Sequence, residues 1–333
     1  MAATVAVLGA GSWGTALAIH LARNGLQVRL WGHRPGHIER LRALRENSDY
    51  LPGFGLADNI EPLASLADAV RGAPQLLIAI PSQGFRDLLQ QLKPLIDTTP
   101  GLFWASKGFE IETGKLLHEV VAEELPDLNH GVISGPTFAA EVARDLPAAI
   151  ACAGNQPQAT EAFAELLRGE HFRAYTTDDI VGVELGGALK NVLAIAVGIA
   201  DGLGYGANTR AALITRGLAE IMRLGISLGA RQETLMGLAG LGDIILTCTD
   251  DQSRNRRFGL ALGKGKNVSQ AEIEVGQTVE GLRAAKAVHD KAAVLGLELP
   301  ISEQAYLVLY EGKQPVDAVS DLESRPQGPE SKF

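Results

Sequence analysis

Gly9-Ala10-Gly11-Ser12-Trp13-Gly14 decides the fold. A short apolar run, Val5-Ala6-Val7-Leu8, comes before it, and an alanine-rich apolar stretch opens after it with Thr15-Ala16-Leu17-Ala18-Ile19. A G-x-G-x-x-G set between a predicted strand and a predicted helix is a dinucleotide-binding signature. Each glycine has its own task. Gly9 permits the tight turn, Gly11 lets the backbone approach a pyrophosphate, and Gly14 lets helix and strand pack closely. The helix starting at Ser12 and Trp13 offers that pyrophosphate unpaired N–H groups and a positive dipole end.

Away from this motif, strand-like and helix-like segments alternate. Residues 5–8, 27–31, 75–80, 102–106, 131–134, 148–153 and 172–176 read as strands. Between them, 14–24, 36–46, 84–93 and 114–124 carry helical pattern. The run at 75–80 is continuously apolar, as a strand buried on both faces should be. Such alternation predicts a parallel, doubly wound sheet. After Thr177 no strand series continues, and 183–199, 210–228, 233–238, 271–274, 280–295 and 301–310 read as helices. The expected architecture is α/β: a Rossmann-type doubly wound parallel sheet over residues 1–185, then an all-α domain over 186–320. Residues 321–333, rich in Pro, Ser and Glu, read as a disordered tail.

The chain has 333 residues, 46% of them hydrophobic and 21% charged. At roughly 150 residues per domain, two domains fit. Its net charge of −9 argues against nucleic acid and anionic membrane surfaces as partners. It also means that an anionic substrate must be drawn by local positive charge. No apolar run reaches the ~18–20 residues of a membrane span, and no charged leader precedes the first strand; the expected compartment is the cytoplasm. Cys152 and Cys248 sit in apolar surroundings and read as buried thiols, with no metal site expected. Apolar helices in the second half make a homodimer the expected assembly.

Ligands of open α/β sheets bind beyond the carboxyl ends of the strands. Those ends carry Gly32-His33-Arg34, Pro81-Ser82-Gln83, Lys107-Gly108 and Gly135-Pro136-Thr137. At the second strand end, the carboxylate that would bind an NAD ribose is replaced by His33-Arg34. Arg34 is suited to a 2′-phosphate, which favours NADP. In the second half, Gly186-Gly187-Ala188-Leu189-Lys190-Asn191 puts paired glycines in a helix, each costing about 1 kcal/mol relative to Ala; close packing or a ligand must explain them. Burial of Lys190 would disfavour its charged form, which suits proton transfer near neutral pH. Asp243 and Thr247, four apart, share one helical face, and Asp243 needs a partner, either Lys190 or substrate. Ser253-Arg254-Asn255-Arg256-Arg257 concentrates arginine forks that match phosphate oxygens; Arg256 and Arg257 read as solvated surface.

Together these segments resemble the soluble bacterial type of NAD(P)-dependent glycerol-3-phosphate dehydrogenase. The resemblance runs from Val5 to about Glu311. Its more specific motifs are Ser134-Gly-Pro-Thr-Phe-Ala139, Leu189-Lys-Asn-Val192, Gly202-Leu-Gly-Tyr-Gly-Ala-Asn-Thr-Arg210, Leu238-Ala-Gly-Leu-Gly-Asp243, Ser253-Arg-Asn-Arg256 and Val279-Glu280-Gly281. It implies reversible conversion of dihydroxyacetone phosphate and sn-glycerol 3-phosphate with NADP(H) and/or NAD(H), run as reduction to feed glycerophospholipid synthesis. By the same resemblance, Lys190 is the catalytic lysine, with Asp243 and Lys107 beside it in catalysis. Lys107, Gly135, Thr137, Lys190, Asn191, Asp243, Thr247, Ser253, Arg254 and Asn255 meet the substrate. Gly9, Gly11, Ser12, Trp13, Gly14, His33, Arg34, Tyr50, Lys107, Ala139, Arg254, Thr278 and Glu280 meet the cofactor. The family often has Arg where this chain has His33, which leaves 2′-phosphate binding more dependent on Arg34. The alternatives are another two-domain hydroxyacid or ketone reductase, and a non-catalytic NADP-binding regulator.

Overall fold

The computed structural model describes residues 3–97 and 100–326. The chain divides into two compact units: residues 1–110 with 115–183, and residues 111–114 with 184–333.

In unit 1 the strands are β1 (Thr4–Leu8), β2 (Gln27–Trp31), β3 (Glu46–Asn47), β4 (Leu51–Gly55), β5 (Ile60–Leu63), β6 (Gln75–Ile78), β7 (Gly101–Trp104), β8 (His130–Ser134), β9 (Ala148–Gly154) and β10 (Phe172–Thr177). Its helices are α1 (Ser12–Arg23), α2 (Pro35–Leu44), α3 (Leu66–Val70), α4 (Phe85–Leu92), α5 (Leu117–Glu124), α6 (Ala139–Ala143) and α7 (Pro157–Leu167). Eight strands form one sheet in the order β10-β9-β8-β7-β6-β1-β2-β5, and β3 pairs with β4 apart from it. The order reverses between β1 and β6, so the glycine motif after β1 sits at the switch point where such sheets bind ligands. β1, β6 and β7 are apolar and buried, and in the core Phe103 stacks on Phe163 with ring centroids 3.9 Å apart.

The sheet departs from the all-parallel expectation at one place: β8 and β9 are antiparallel. The helix between them, α6, has five residues. It advances about 7.5 Å, while β8 is about 16 Å long, so α6 cannot carry the chain back to the start of the sheet. The longer α7 can, and β10 lies parallel to β9.

Division into the two units falls within α8 (Ile180–Gly202). Unit 2 continues with α9 (Ala207–Ser227), α10 (Gln232–Leu235), α11 (Asp243–Thr249), α12 (Arg254–Gly263), α13 (Val268–Val275), α14 (Glu280–Leu295), α15 (Pro300–Tyr310) and α16 (Pro315–Glu323). Among the described residues α8 is the one helix long and apolar enough to cross a bilayer, with a mean hydropathy of 1.7. Yet 83% of that stretch is buried inside the protein, as a core helix requires. One expectation changes here. The tail is not disordered throughout, since Asp321–Glu323 complete α16, where Ala318 packs inward; the rest of that expectation, from residue 327, lies outside the described residues. The arginine cluster forms the first turn of α12, capped by the Ser253 hydroxyl, which accepts from the Arg256 amide at 3.2 Å.

Candidate active site

In unit 1 the three motif glycines meet different surroundings. Gly9 has φ +136°, and a Cβ there would lie 2.3 Å from the Ala79 carbonyl oxygen. A Cβ on Gly14 would lie 1.9 Å from the Gly9 oxygen. Those two are required by the turn and by helix–strand packing. A Cβ on Gly11 would meet no protein atom within 4 Å. Nothing in the protein asks for glycine there, whereas a backbone that must approach a phosphate does. Gly11 is the N-cap of α1, and Ser12 and Trp13 form its first turn, half-buried. The residues present therefore fit a dinucleotide.

Next along the sheet, β2 ends at Trp31, and the exposed His33 and Arg34 follow Gly32. Arg34 donates to the Tyr50 hydroxyl, and its guanidinium lies 5.5 Å from the Tyr50 ring centroid. These two residues, read from separate parts of the sequence, are thus one feature. Lys107 follows β7, half-buried beside Gly108 at φ +107°. Gly135 and Thr137 follow β8, and the Thr137 hydroxyl donates to the Gly135 carbonyl at 3.3 Å. Ala139 opens α6, half-buried.

In unit 2 the sequence-predicted residues gather in two clusters. Lys190, from the middle of α8, donates to the Asp243 carboxylate and, at 3.0 Å, to the Thr247 hydroxyl. Thr247 in turn donates to Asp243 at 3.3 Å. Asp243 is 0% exposed and Lys190 7%, so this is a buried ion pair. The turn Leu238–Gly242 delivers Asp243 to the start of α11. That turn explains one of the paired glycines, because a Cβ on Gly186 would lie 2.4 Å from the Ala239 oxygen.

The second cluster starts one residue on. Asn191 donates to Glu280 at 3.3 Å and accepts from Asn255 Nδ2 at 2.8 Å. Asn255 Oδ1 accepts the Gly281 amide at 2.9 Å. One Asn255 amide hydrogen is left over. Arg254, half-buried, reaches Gln277 at 3.4 Å, next to the exposed Thr278.

Arg256 is not the solvated surface residue the sequence suggested; Arg257 is exposed. Arg256 is 8% exposed and ion-paired with Asp201 at 2.7 Å and with Asp251. Asp201 also accepts from Arg210 at 2.9 Å. An acidic residue near the end of α8, an arginine 9 residues on and another 55 residues on share no local pattern, so periodicity did not reveal this tie. Both cysteines are free and buried, and burial pushes each thiol up to about 12. Among the described residues no group of three or more His, Cys, Asp or Glu side chains is placed to hold a metal ion.

Comparison with known proteins matches the chain to one family along both units. The family model of the NAD-dependent glycerol-3-phosphate dehydrogenase N-terminus matches residues 4–160, and that of its C-terminus matches residues 179–320. The chain is similar to the glycerol-3-phosphate dehydrogenase [NAD(P)+] of Thioalkalivibrio sulfidiphilus, at 55% identity over 98% of each chain. It is 52% identical to that of Methylococcus capsulatus, again over 98% of each. Among solved structures, glycerol-3-phosphate dehydrogenase of Coxiella burnetii superposes with a TM-score of 0.95 at 47% identity, over 97% of this chain and 99% of that one. The chain belongs to the NAD-dependent glycerol-3-phosphate dehydrogenase family.

Proposed function

We propose that this protein is an NAD(P)H-dependent sn-glycerol-3-phosphate dehydrogenase that reduces dihydroxyacetone phosphate reversibly, supplying glycerophospholipid synthesis. The observation that carries the reading is the buried Lys190–Asp243–Thr247 cluster in a family of dehydrogenases. Gly9, Gly11, Ser12, Trp13 and Gly14 would hold the pyrophosphate, and Arg34 with Tyr50 the adenosine ribose end. A bound nicotinamide supplies the hydride.

Reduction places charge on the substrate's carbonyl oxygen, and that oxygen needs a proton. Lys190 Nζ gives this proton in reduction and takes it back in oxidation. Asp243 and Thr247 fix the ammonium so that it need not reorganise as the charge develops. Lys107 polarises the same carbonyl; Gly135 and Thr137 are assigned to substrate as well. Arg254 binds the substrate phosphate, joined by the remaining Asn255 amide hydrogen. Ser253 contributes by capping α12, and Asn191 by holding Asn255. His33, Ala139, Thr278 and Glu280 complete the cofactor contacts. The assembly is a homodimer, a reading supported by Val294 and Ile273, 86% and 80% exposed on unit 2, and its compartment is the cytoplasm.

The test is to mix the protein with dihydroxyacetone phosphate and follow oxidation of NADPH, then of NADH. Oxidation is expected with the phosphate and not with unphosphorylated dihydroxyacetone. Cofactor binding without turnover would replace this reading with that of a non-catalytic regulator. Turnover of hydroxyacids alone would replace it with another reductase.

A further inference from the structure

The glycine loop is held from below by residues that its motif does not contain. The Ala10 carbonyl accepts from Asn47 Nδ2 at 3.0 Å and from His37 Nε2 at 3.2 Å. A carbonyl only accepts, so Nε2 carries the hydrogen. Asn47 is 1% exposed and fully engaged: Nδ2 also donates to Thr15 Oγ1 at 2.7 Å, and Oδ1 accepts the Tyr50 amide at 3.3 Å. Thr15 lies in the second turn of α1, so Asn47 ties the loop to the helix it opens. The His37 ring is 6% exposed, and its Nδ1 lies 3.0 Å from the Asp49 carboxylate. Asp49 also accepts from Arg40, and these two bonds, that from Arg40 foremost, hold its carboxyl below the usual range. His37 is therefore held at both ring nitrogens. The Tyr50 ring meets the His37 ring edge-on, with centroids 5.2 Å apart.

We propose that Asn47 and His37 form a clamp that turns the Ala10 carbonyl inward and so pre-organises the glycine loop for the anionic pyrophosphate. The physical need is direct. Ala10 stands between the strand and the N-cap, and a carbonyl oxygen facing an anion repels it. Held inward by two donors, it leaves only N–H groups to face the phosphates. The clamp also explains β3, a two-residue strand whose side-chain product is Asn47. Through Asp49 and Tyr50 the same short segment joins the loop to Arg34. Neither Asn47 nor His37 would touch the cofactor; both are positioning residues.

The inference rests on reading unit 1 as a dinucleotide site, and the experiment separates the two. Calorimetric titration of the full-length protein with NADPH comes first. If the wild type binds neither NADPH nor NADH, the site reading fails and the clamp fails with it. Given binding, Asn47→Asp, which keeps the shape and removes both donors, should weaken NADPH about tenfold, the ~1.4 kcal/mol of one hydrogen bond. His37→Leu should do the same, and His37→Gln, which offers an N–H at similar reach, should stay within about threefold of wild type. Steady-state kinetics should place the loss in the KM for NADPH rather than in kcat. Hydrogen exchange of the cofactor-free protein should speed up over residues 9–15 in Asn47→Asp and His37→Leu. Unchanged NADPH affinity in folded variants would overturn the clamp. So would equal loss in His37→Gln and His37→Leu, or a fall in kcat with the KM for NADPH unmoved. Should Asn47→Asp not fold, the two His37 variants still decide.

Discussion

Lys190 and Asp243 pose a question that single mutants cannot answer, because removing either one leaves a buried charge without its partner. Lys190→Met should therefore destabilise unit 2 by about 3–5 kcal/mol, whatever its catalytic role. Adding Asp243→Leu removes the stranded carboxylate and should recover most of that loss. Activity should not follow. Both variants should stay at least about a hundredfold below wild type in kcat, the low end for a lost general acid. Denaturant melts with kinetics on the same preparations read both quantities, and a double mutant that regained activity with stability would remove Lys190 from the proton path. A second prediction concerns His20, whose ring is buried against Phe172 at 4.4 Å with Nε2 2.6 Å from the Leu167 oxygen. Burial lowers its pKa below 6.5, as it does that of His130. Between the folded value and 6.5 the unfolded chain binds more protons, so stability falls as pH drops through that window and is untouched above it. His20→Phe should flatten the slope of melting temperature against pH below about 6.5; an unchanged slope would clear His20. Lys190, Asp243 and Thr247 were legible in the sequence because polar residues in an apolar stretch must find one another. Arg256 was misread because a charge run is usually solvated, and only the fold brings Asp201 to it.

At the scale of elements, the packing of α8 on α12 depends on four glycines. A Cβ on Gly198 would lie 2.2 Å from the Arg256 oxygen, and one on Gly202 2.4 Å from the Leu260 oxygen. From the other side, Gly259 faces the Ile195 oxygen at 2.1 Å and Gly263 the Ile199 oxygen at 2.2 Å. Residues 195, 198, 199 and 202, like 256, 259, 260 and 263, fall on one helical face, so backbone meets backbone along two turns. Gly259→Ala must then push α12 away, carrying Ser253, Arg254 and Asn255 with it. We expect a loss of about 1–3 kcal/mol or more and a raised KM for dihydroxyacetone phosphate. Gly36→Ala, in the first turn of α2 with nothing within 4 Å, should instead gain up to about 1 kcal/mol. Equal effects of the two substitutions in chemical melts would contradict the packing. The long elements were readable because their periodicity is strong; α14 begins and ends where the pattern does. β3, β4 and β5 were not. Leu51–Gly55 reads LPGFG and Ile60–Leu63 reads IEPL, and proline and glycine argue against strands unless these lie at an edge. β5 is the edge of the main sheet, and among the described residues β4 pairs with β3 alone.

Across the whole molecule, folding and cofactor binding make separable demands on one motif. Gly9 and Gly14 are needed by the fold itself, since their added Cβ atoms would strike backbone at 2.3 and 1.9 Å. Gly11 is not: its φ of −82° suits any residue, and a Cβ there meets no protein atom within 4 Å. Gly11→Val should thus melt with the wild type when no cofactor is present. Wild type with NADPH at about a hundred times Kd should gain about 2.7 kcal/mol by mass action. For a unit of 150–250 residues that is roughly 5–11 °C. Gly11→Val should show almost none of this shift, because its side chain occupies the space a pyrophosphate needs. Gly14→Ala should melt lower with or without cofactor, since its defect lies between strand and helix. Scanning calorimetry of the three proteins, each with and without NADPH, reads all of this. A full cofactor shift in Gly11→Val would mean that the pyrophosphate does not approach at Gly11. The motif would then serve the sheet alone, and the dinucleotide site would have to be sought at another strand end.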